Sequence, residues 1–144
     1  MKKILIIDDD KFMRMLYDFE LSEAGYQVST IAEGSGMMDK IDLERPDLVV
    51  LDVKLREEDG LDLLQEIRNK FYHLPVILCS AYPIYKYDSR TMSADYYVVK
   101  DSNLEELKQR IKMALEGGES FQAEKGPDCL DRLNDTFEET PAIP

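Results

Sequence analysis

Three carboxylates stand side by side at Asp8, Asp9 and Asp10, directly after the apolar run Ile4-Leu5-Ile6-Ile7. Asp52 closes a second such run, Leu48-Val49-Val50-Leu51, Ser80 a third, Val76-Ile77-Leu78-Cys79, and Lys100 a fourth, Tyr96-Tyr97-Val98-Val99. Carboxylates about 4 Å apart repel by roughly 4 kcal/mol at an effective dielectric near 20, so acids gathered this closely call for a compensating charge. A divalent cation supplies one. Hard oxygen ligands, few in number, suit Mg²⁺, which takes one or two carboxylates together with water or phosphate oxygens. A lysine ammonium can balance a phosphoryl group, and a carboxylate beside Mg²⁺ and Lys⁺ can act as nucleophile toward phosphorus.

These residues act together only if the elements carrying them end at one edge. The apolar runs at 3–7, 26–31, 47–52, 75–80 and 95–99 are short and mostly lack a polar face, which predicts strands buried on both sides. Between them the pattern predicts helices over 11–24, with Phe12, Leu16 and Phe19 as the spaced apolar positions, over 35–44 and over 60–71. A further helix is expected over 103–116, with a Ser102/Glu105 capping box and Gly117-Gly118 as its stop. The segment 82–93, with Pro83 and three tyrosines but no apolar stripe, predicts a short or irregular fourth helix. Five strand-helix units of this kind imply an α/β fold with a parallel sheet, right-handed crossovers and helices on both faces. Ligands in such sheets gather beyond the carboxyl ends of the strands, which is where Asp8, Asp9, Asp52, Ser80 and Lys100 fall.

Composition narrows the partners. The 144 residues, 44% of them apolar, are one domain's worth of chain with enough material for a core. The 30 acidic against 18 basic residues give a net charge of −12, the wrong sign for a nucleic-acid surface. No run is long and apolar enough for a membrane span, and the apolar stretch after Met1-Lys2-Lys3 is too short for a signal peptide. Cys79 and Cys129 make neither a metal spacing nor a disulfide framework, so a reducing cytoplasm is the expected location.

The acidic pair Asp8-Asp9, "LDVKLREEDGL" around Asp52, "LCSAY" at Ser80 and "YYVVKD" at Lys100, in this order and each at a strand end, resemble the receiver domain of two-component response regulators over residues 3–116. The resemblance implies a flavodoxin-like (βα)5 sandwich with strand order 2-1-3-4-5, an order known from a chemotaxis receiver of this family. It also implies a phosphoacceptor at Asp52 that takes a phosphoryl group from a phosphohistidine of a sensor histidine kinase or phosphotransfer protein. The Mg²⁺ ligands would be Asp9 directly, Asp8 largely through water, Asp52 and the backbone carbonyl of Lys54. Ser80 and Lys100 would grip the phosphoryl oxygens, and Tyr97 would be the aromatic switch whose rotamer follows Ser80. The signalling surface would be 81–101 and the last helix. Such a protein is a phosphoacceptor that catalyses only its own phosphorylation and dephosphorylation, and not an enzyme acting on other substrates.

The sequence departs from the family where Asp101 follows Lys100 in place of the usual proline, where a trans Lys100–Asp101 peptide is expected, and where Ser80 stands for the commoner threonine. The expected organisation is a receiver domain over 1–118 and an acidic tail over 119–144 without an output domain. Leu130, Leu133 and Phe137 give that tail the makings of a short amphipathic turn. Two other readings stay open: a haloacid-dehalogenase-like phosphohydrolase with an aspartate nucleophile after strand one, and a pseudo-receiver that binds partners without phosphate. Several residues also have plainer readings. Asp10 can simply cap a helix, Tyr97 can be core, Cys79 reads as core and His73 as surface, Glu57-Glu58-Asp59 as a solvated loop or as the mouth of the pocket, and Met13, Met15, Met37 and Met38 as packing.

Overall fold

A computed structural model of the chain describes residues 1–101 and 103–122, with side chains to Glu116. Its strands are β1 (Lys3–Ile7), β2 (Gln27–Ile31), β3 (Leu48–Asp52), β4 (Val76–Ser80) and β5 (Tyr96–Val99), and its helices are α1 (Lys11–Glu23), α2 (Met37–Glu44), α3 (Gly60–Lys70) and α4 (Glu105–Gln122). All strand pairings are parallel, in the order β2-β1-β3-β4-β5 that the family resemblance implies. Where a fourth helix was expected to be irregular, two 3₁₀ turns, Pro83–Tyr87 and Ser89–Ser93, connect β4 to β5. Only Thr91 is buried among their residues, too little apolar anchorage to draw the segment into a longer helix.

Alternation along the strands splits the core in two. Leu5, Ile7, Val49, Leu51 and Leu78 pack under α2 and α3, against Met37, Ile41, Leu61, Leu64 and Ile67. Ile4, Ile6, Val50, Ile77 and Cys79 pack under α1 and α4, against Tyr17, Leu21, Leu107 and Ile111. The same alternation carries past the strand ends. Asp8, Asp52 and Lys100 have the parity of the α1/α4 face, whereas Ser80 and Tyr97 have that of the α2/α3 face.

Three local expectations need correction. Phe12 and Phe19 are 70% and 64% exposed, and the buried residues of α1 are Tyr17 and Leu21, with Met13 and Leu16 packed at the margin. Apolar residues surround most of this helix, so spacing alone admits two stripes; contact with Ile4 and Ile6 selects the second. Met15, expected as packing, is 62% exposed on the same outer face as Phe12 and Phe19. Finally, α4 does not stop at Gly117-Gly118 but runs to Gln122. Glycine in a helix costs about 1 kcal/mol relative to alanine, which weakens a helix without ending it. Ser102, the expected cap, lies outside the described residues, and Asn103 Oδ1 accepts from the Glu105 N–H at 3.0 Å at the start of α4. The tail from residue 123 onward also lies outside them.

Candidate functional site

The carboxyl ends of β1, β3, β4 and β5 deliver the expected residues to one edge. Asp8 and Asp52 are 1% and 5% exposed, Asp9 is half-buried, and one carboxylate oxygen from each of the three lies within 4.8 Å of the others. Lys100 Nζ reaches Asp8 Oδ2 at 2.8 Å and Asp52 Oδ2 at 3.0 Å, so a single ammonium ties the two buried acids together. Asp52 Oδ1 accepts from the Lys54 N–H at 3.3 Å, and Asp8 Oδ1 from the Asp10 N–H at 2.9 Å. Asp10 itself caps α1, accepting from Phe12 and Met13, which is its plainer reading.

The electrostatics follow from burial. Desolvation pushes the Asp52 carboxyl up to about 6; Lys100 opposes that rise and Asp8 adds to it. Burial alone would lower the Lys100 ammonium, but the carboxylates of Asp8 and Asp52 outweigh it and hold the lysine above its ordinary value. The site is therefore short of positive charge. Three hard oxygen donors, from Asp8, Asp9 and Asp52, fit Mg²⁺. The short bridge between Lys54 and Asp59 is hydrogen-bonded through Gly60 N to Val53 O and Leu55 N to Glu58 O, which leaves the Lys54 carbonyl outside the pair.

On the other face, Ser80 is fully buried and its Oγ accepts from the Tyr82 N–H at 3.0 Å. Tyr97 is 4% exposed, lies in the α2/α3 core and donates from its phenol to the Tyr82 carbonyl at 2.6 Å. Its ring thus points inward, and its phenol also meets the Ser80 hydroxyl. No cis peptide occurs among the described residues, so the Lys100–Asp101 bond is trans as expected. His73 is exposed, and Cys79 is buried with its thiol 3.3 Å from the Tyr17 hydroxyl.

Four further residues support the site. A Cβ on Gly60 would stand 2.0 Å from the Asp52 carbonyl oxygen, so only glycine lets the start of α3 close against the strand that carries Asp52. Glu58, in the loop that could shape the mouth of the pocket, accepts from the Gly34 N–H at 2.7 Å and so pins the loop after β2 beside the acids. A cleft of about 570 Å³ opens there, lined by Asp9, Glu33, Arg56, Glu57 and Glu58 among others. Arg14 donates to the Asp8 carbonyl at 2.8 Å, fixing the turn from β1 into α1. Tyr82 joins Ser80 to Tyr97, and the Lys54 ammonium sits 5.7 Å above its ring. For Gly60 the signal was visible in the Asp-Gly-Leu that follows Asp52; for the others the partners are distant in sequence or carried by the backbone.

This chain belongs to the response regulator receiver domain family, whose model matches residues 4–112. Among solved structures it is similar to the response regulator TrrA of Thermotoga maritima in complex with Mg²⁺-BeF. The identity is 39%, with 78% of this chain and 97% of TrrA covered at a TM-score of 0.75. It is likewise similar, at 39% identity and TM-score 0.75 over 80% of this chain and 99% of the other, to the TrrA chain in a complex with the histidine kinase ThkA. A CheY-like receiver domain protein from Methanospirillum hungatei JF-1 matches at 28% identity and TM-score 0.78, with 83% of this chain and 98% of that one covered. The family match favours a receiver over the phosphohydrolase reading of the sequence. No helix among the described residues is long and apolar enough to cross a membrane.

Proposed function

We propose that this protein is a phosphoacceptor of a two-component or phosphorelay system, taking a phosphoryl group onto Asp52 from a phosphohistidine of a histidine kinase or phosphotransfer protein. The observation that carries the reading is the Lys100 ammonium bridging buried Asp8 and Asp52, with Asp9 in reach of both, in a chain of the receiver family. The binding of Mg²⁺-BeF by TrrA and its complex with a kinase support it by similarity.

In this reading Asp8, Asp9, Asp52 and the Lys54 carbonyl hold Mg²⁺, which when bound offsets the negative charge of the acids and of the incoming phosphoryl oxygens. An Asp52 oxygen forms the new O–P bond as the N–P bond to imidazole breaks, and the histidine leaves with the electron pair of that bond. Lys100 exchanges a carboxylate partner for a phosphoryl oxygen. Ser80 turns its hydroxyl to another, giving up its present geometry with Tyr82 and Tyr97. That exchange passes the chemistry at Asp52 to the segment 81–101 and the last helix, the surface we assign to the downstream protein partner. We assign the receiver to residues 1–118 and its place to the cytoplasm; the free, buried thiol of Cys79 accords with a reducing compartment.

Incubation with fluoroberyllate and Mg²⁺, or with acetyl phosphate, tests this directly. Wild type is expected to load, Asp52→Asn to stay unloaded, and omission of Mg²⁺ to abolish loading of wild type. Equal loading of Asp52→Asn would refute the assignment.

A further inference from the structure

The connector between β4 and β5 is fastened in both halves by polar contacts. Its near half is held by Tyr82, which joins Ser80 to Tyr97. Its far half is held by Arg90. Within the second 3₁₀ turn the guanidinium grips Asp88 twice, from Nε to Oδ1 at 3.1 Å and from Nη2 to Oδ2 at 2.9 Å. Across the seam to α3, Nη1 of the same group reaches Asp62 Oδ1 at 2.8 Å and Asp59 Oδ2 at 3.3 Å. Asp59 has two further ties. It caps α3, accepting from the Leu61 N–H at 2.8 Å, and it lies in the short bridge with Lys54, whose N–H donates to Asp52 Oδ1. One arginine side chain therefore bolts the connector to the loop that bears on the proposed phosphoacceptor.

We propose that Arg90 is an electrostatic brake on the switch: its contacts with Asp59 and Asp62 belong to the unphosphorylated arrangement and give way as the connector follows Ser80. The inference rests on the phosphoacceptor reading of Asp52 and adds to it a residue that sets how readily the site loads. The two halves of the connector are joined. The Tyr85 carbonyl accepts from the Asp88 N–H at 3.1 Å and from the Thr91 hydroxyl at 2.7 Å, so a displacement that begins at Ser80 and Tyr82 passes to residues 88–91. Arg90 lies within that stretch, while Asp59 and Asp62 stay with α3, which Leu61, Leu64 and Ile67 lock into the core. Movement of the one against the other lengthens the ion pairs.

Charge sets the sign. The carboxylates of Asp59, Asp62 and Asp88 converge on one guanidinium. With the cation present they draw the connector onto α3; without it they face one another across the seam and push it off. A contact made in one state only biases the equilibrium toward that state, and a ligand that favours the other state works against it. The side chains of Arg90 and Asp59 are 36% and 43% exposed, so the brake is modest and screened by salt.

Fluoroberyllate with Mg²⁺ tests this on the full chain carrying Arg90→Gln, which loses the charge and keeps a polar amide. Affinity is expected to rise about threefold to tenfold over wild type at low salt, and the ratio to shrink toward one as salt is added. Before any ligand is added, the amide resonances of residues 82–91 in the variant should lie displaced along the lines that join the unloaded and loaded positions in wild type. Adding Asp62→Asn to Arg90→Gln relieves part of the repulsion and is expected to return part of the gain. Equal or weaker affinity in Arg90→Gln, amides displaced in unrelated directions, or a gain untouched by salt or by Asp62→Asn would overturn the proposal. Wild type that fails to load would refute the phosphoacceptor reading and the brake with it, whereas a variant that loads no better than a loading wild type refutes the brake alone.

Discussion

The phenol of Tyr97 donates a 2.6 Å hydrogen bond to the backbone carbonyl of Tyr82. The N–H of the same Tyr82 donates to Ser80 Oγ, so the loop after β4 is held at both polar groups of one residue, once from each end of the proposed signalling path. Tyr97→Phe keeps the buried ring and deletes the donor, which is expected to cost about 1 kcal/mol of stability. It should also uncouple the loop. Amide shifts on adding fluoroberyllate, expected across residues 80–101 in wild type, should shrink in the phenylalanine variant at 82–92 while persisting at Asp52 and Ser80. An unaltered pattern would mean that the phenol plays no part in transmission.

Asp52→Asn is expected to stabilise the metal-free protein. Burial raises the Asp52 carboxyl from 3.8 to about 6, against the pull of Lys100 and with help from Asp8. Across that interval the folded protein holds a proton that the unfolded chain has released, so stability falls as pH rises from about 4 to about 6 and stays lower above it. Asparagine carries no such charge. In the presence of a chelator its advantage is expected to be about 1–3 kcal/mol near neutral pH and to fade toward pH 4, by urea denaturation. Added Mg²⁺ should stabilise wild type more than the variant. A variant less stable than wild type at neutral pH would show that the contact with Lys100 outweighs the burial.

Gly60→Ala is expected to be damaging out of proportion to one methyl group. The added carbon meets the Asp52 carbonyl oxygen at 2.0 Å and the Val53 Cα at 2.8 Å, both backbone atoms at the end of β3, which carries the proposed phosphoacceptor. Relief requires α3 or β3 to move, at a cost of about 1–3 kcal/mol. Fluoroberyllate affinity should drop with stability, since Asp52 moves with its strand. Wild-type affinity in a destabilised protein would confine the effect to packing.

The five strands and the four strand-end positions were legible because a parallel sheet writes its strands as short apolar runs and its site as the polar residues that end them, whereas the strand order came only from the family resemblance. Asp52 and Lys100 lie 48 residues apart, yet each is announced by the run before it. The outer face of α1 was not legible, since Phe12, Met13, Met15, Leu16, Tyr17 and Phe19 leave little polar contrast around the helix, and only the position of β1 decides which of them it covers. Tyr82 was hidden for a different reason. Its work is done by a backbone N–H and a backbone carbonyl, which any residue possesses, so side-chain chemistry gives no sign of it.

Arg68 is the remaining residue that the sequence left unmarked, and it yields the last prediction. Its guanidinium donates to the carbonyls of Ser93 and Leu74 at 2.6 Å each and pairs with Asp95 at 3.1 Å, where Asp95 is 3% exposed and also accepts from the Val76 N–H. One side chain thus fastens α3 to the loop before β4 and to the junction between the second 3₁₀ turn and β5. Arg68→Met keeps the aliphatic stem but takes the positive charge away from a buried carboxylate, so a loss of about 3–5 kcal/mol is expected. Arg68→Lys should recover only part of it, because an ammonium cannot reach the spread of acceptors that the planar fork reaches. Because the carbonyl of Ser93 lies at the end of the segment proposed to move on phosphorylation, amide exchange over 88–95 should speed up in the lysine variant before the rest of the sheet does. Exchange that rises uniformly through the sheet would instead make Arg68 a support of the whole fold and remove it from the signalling segment.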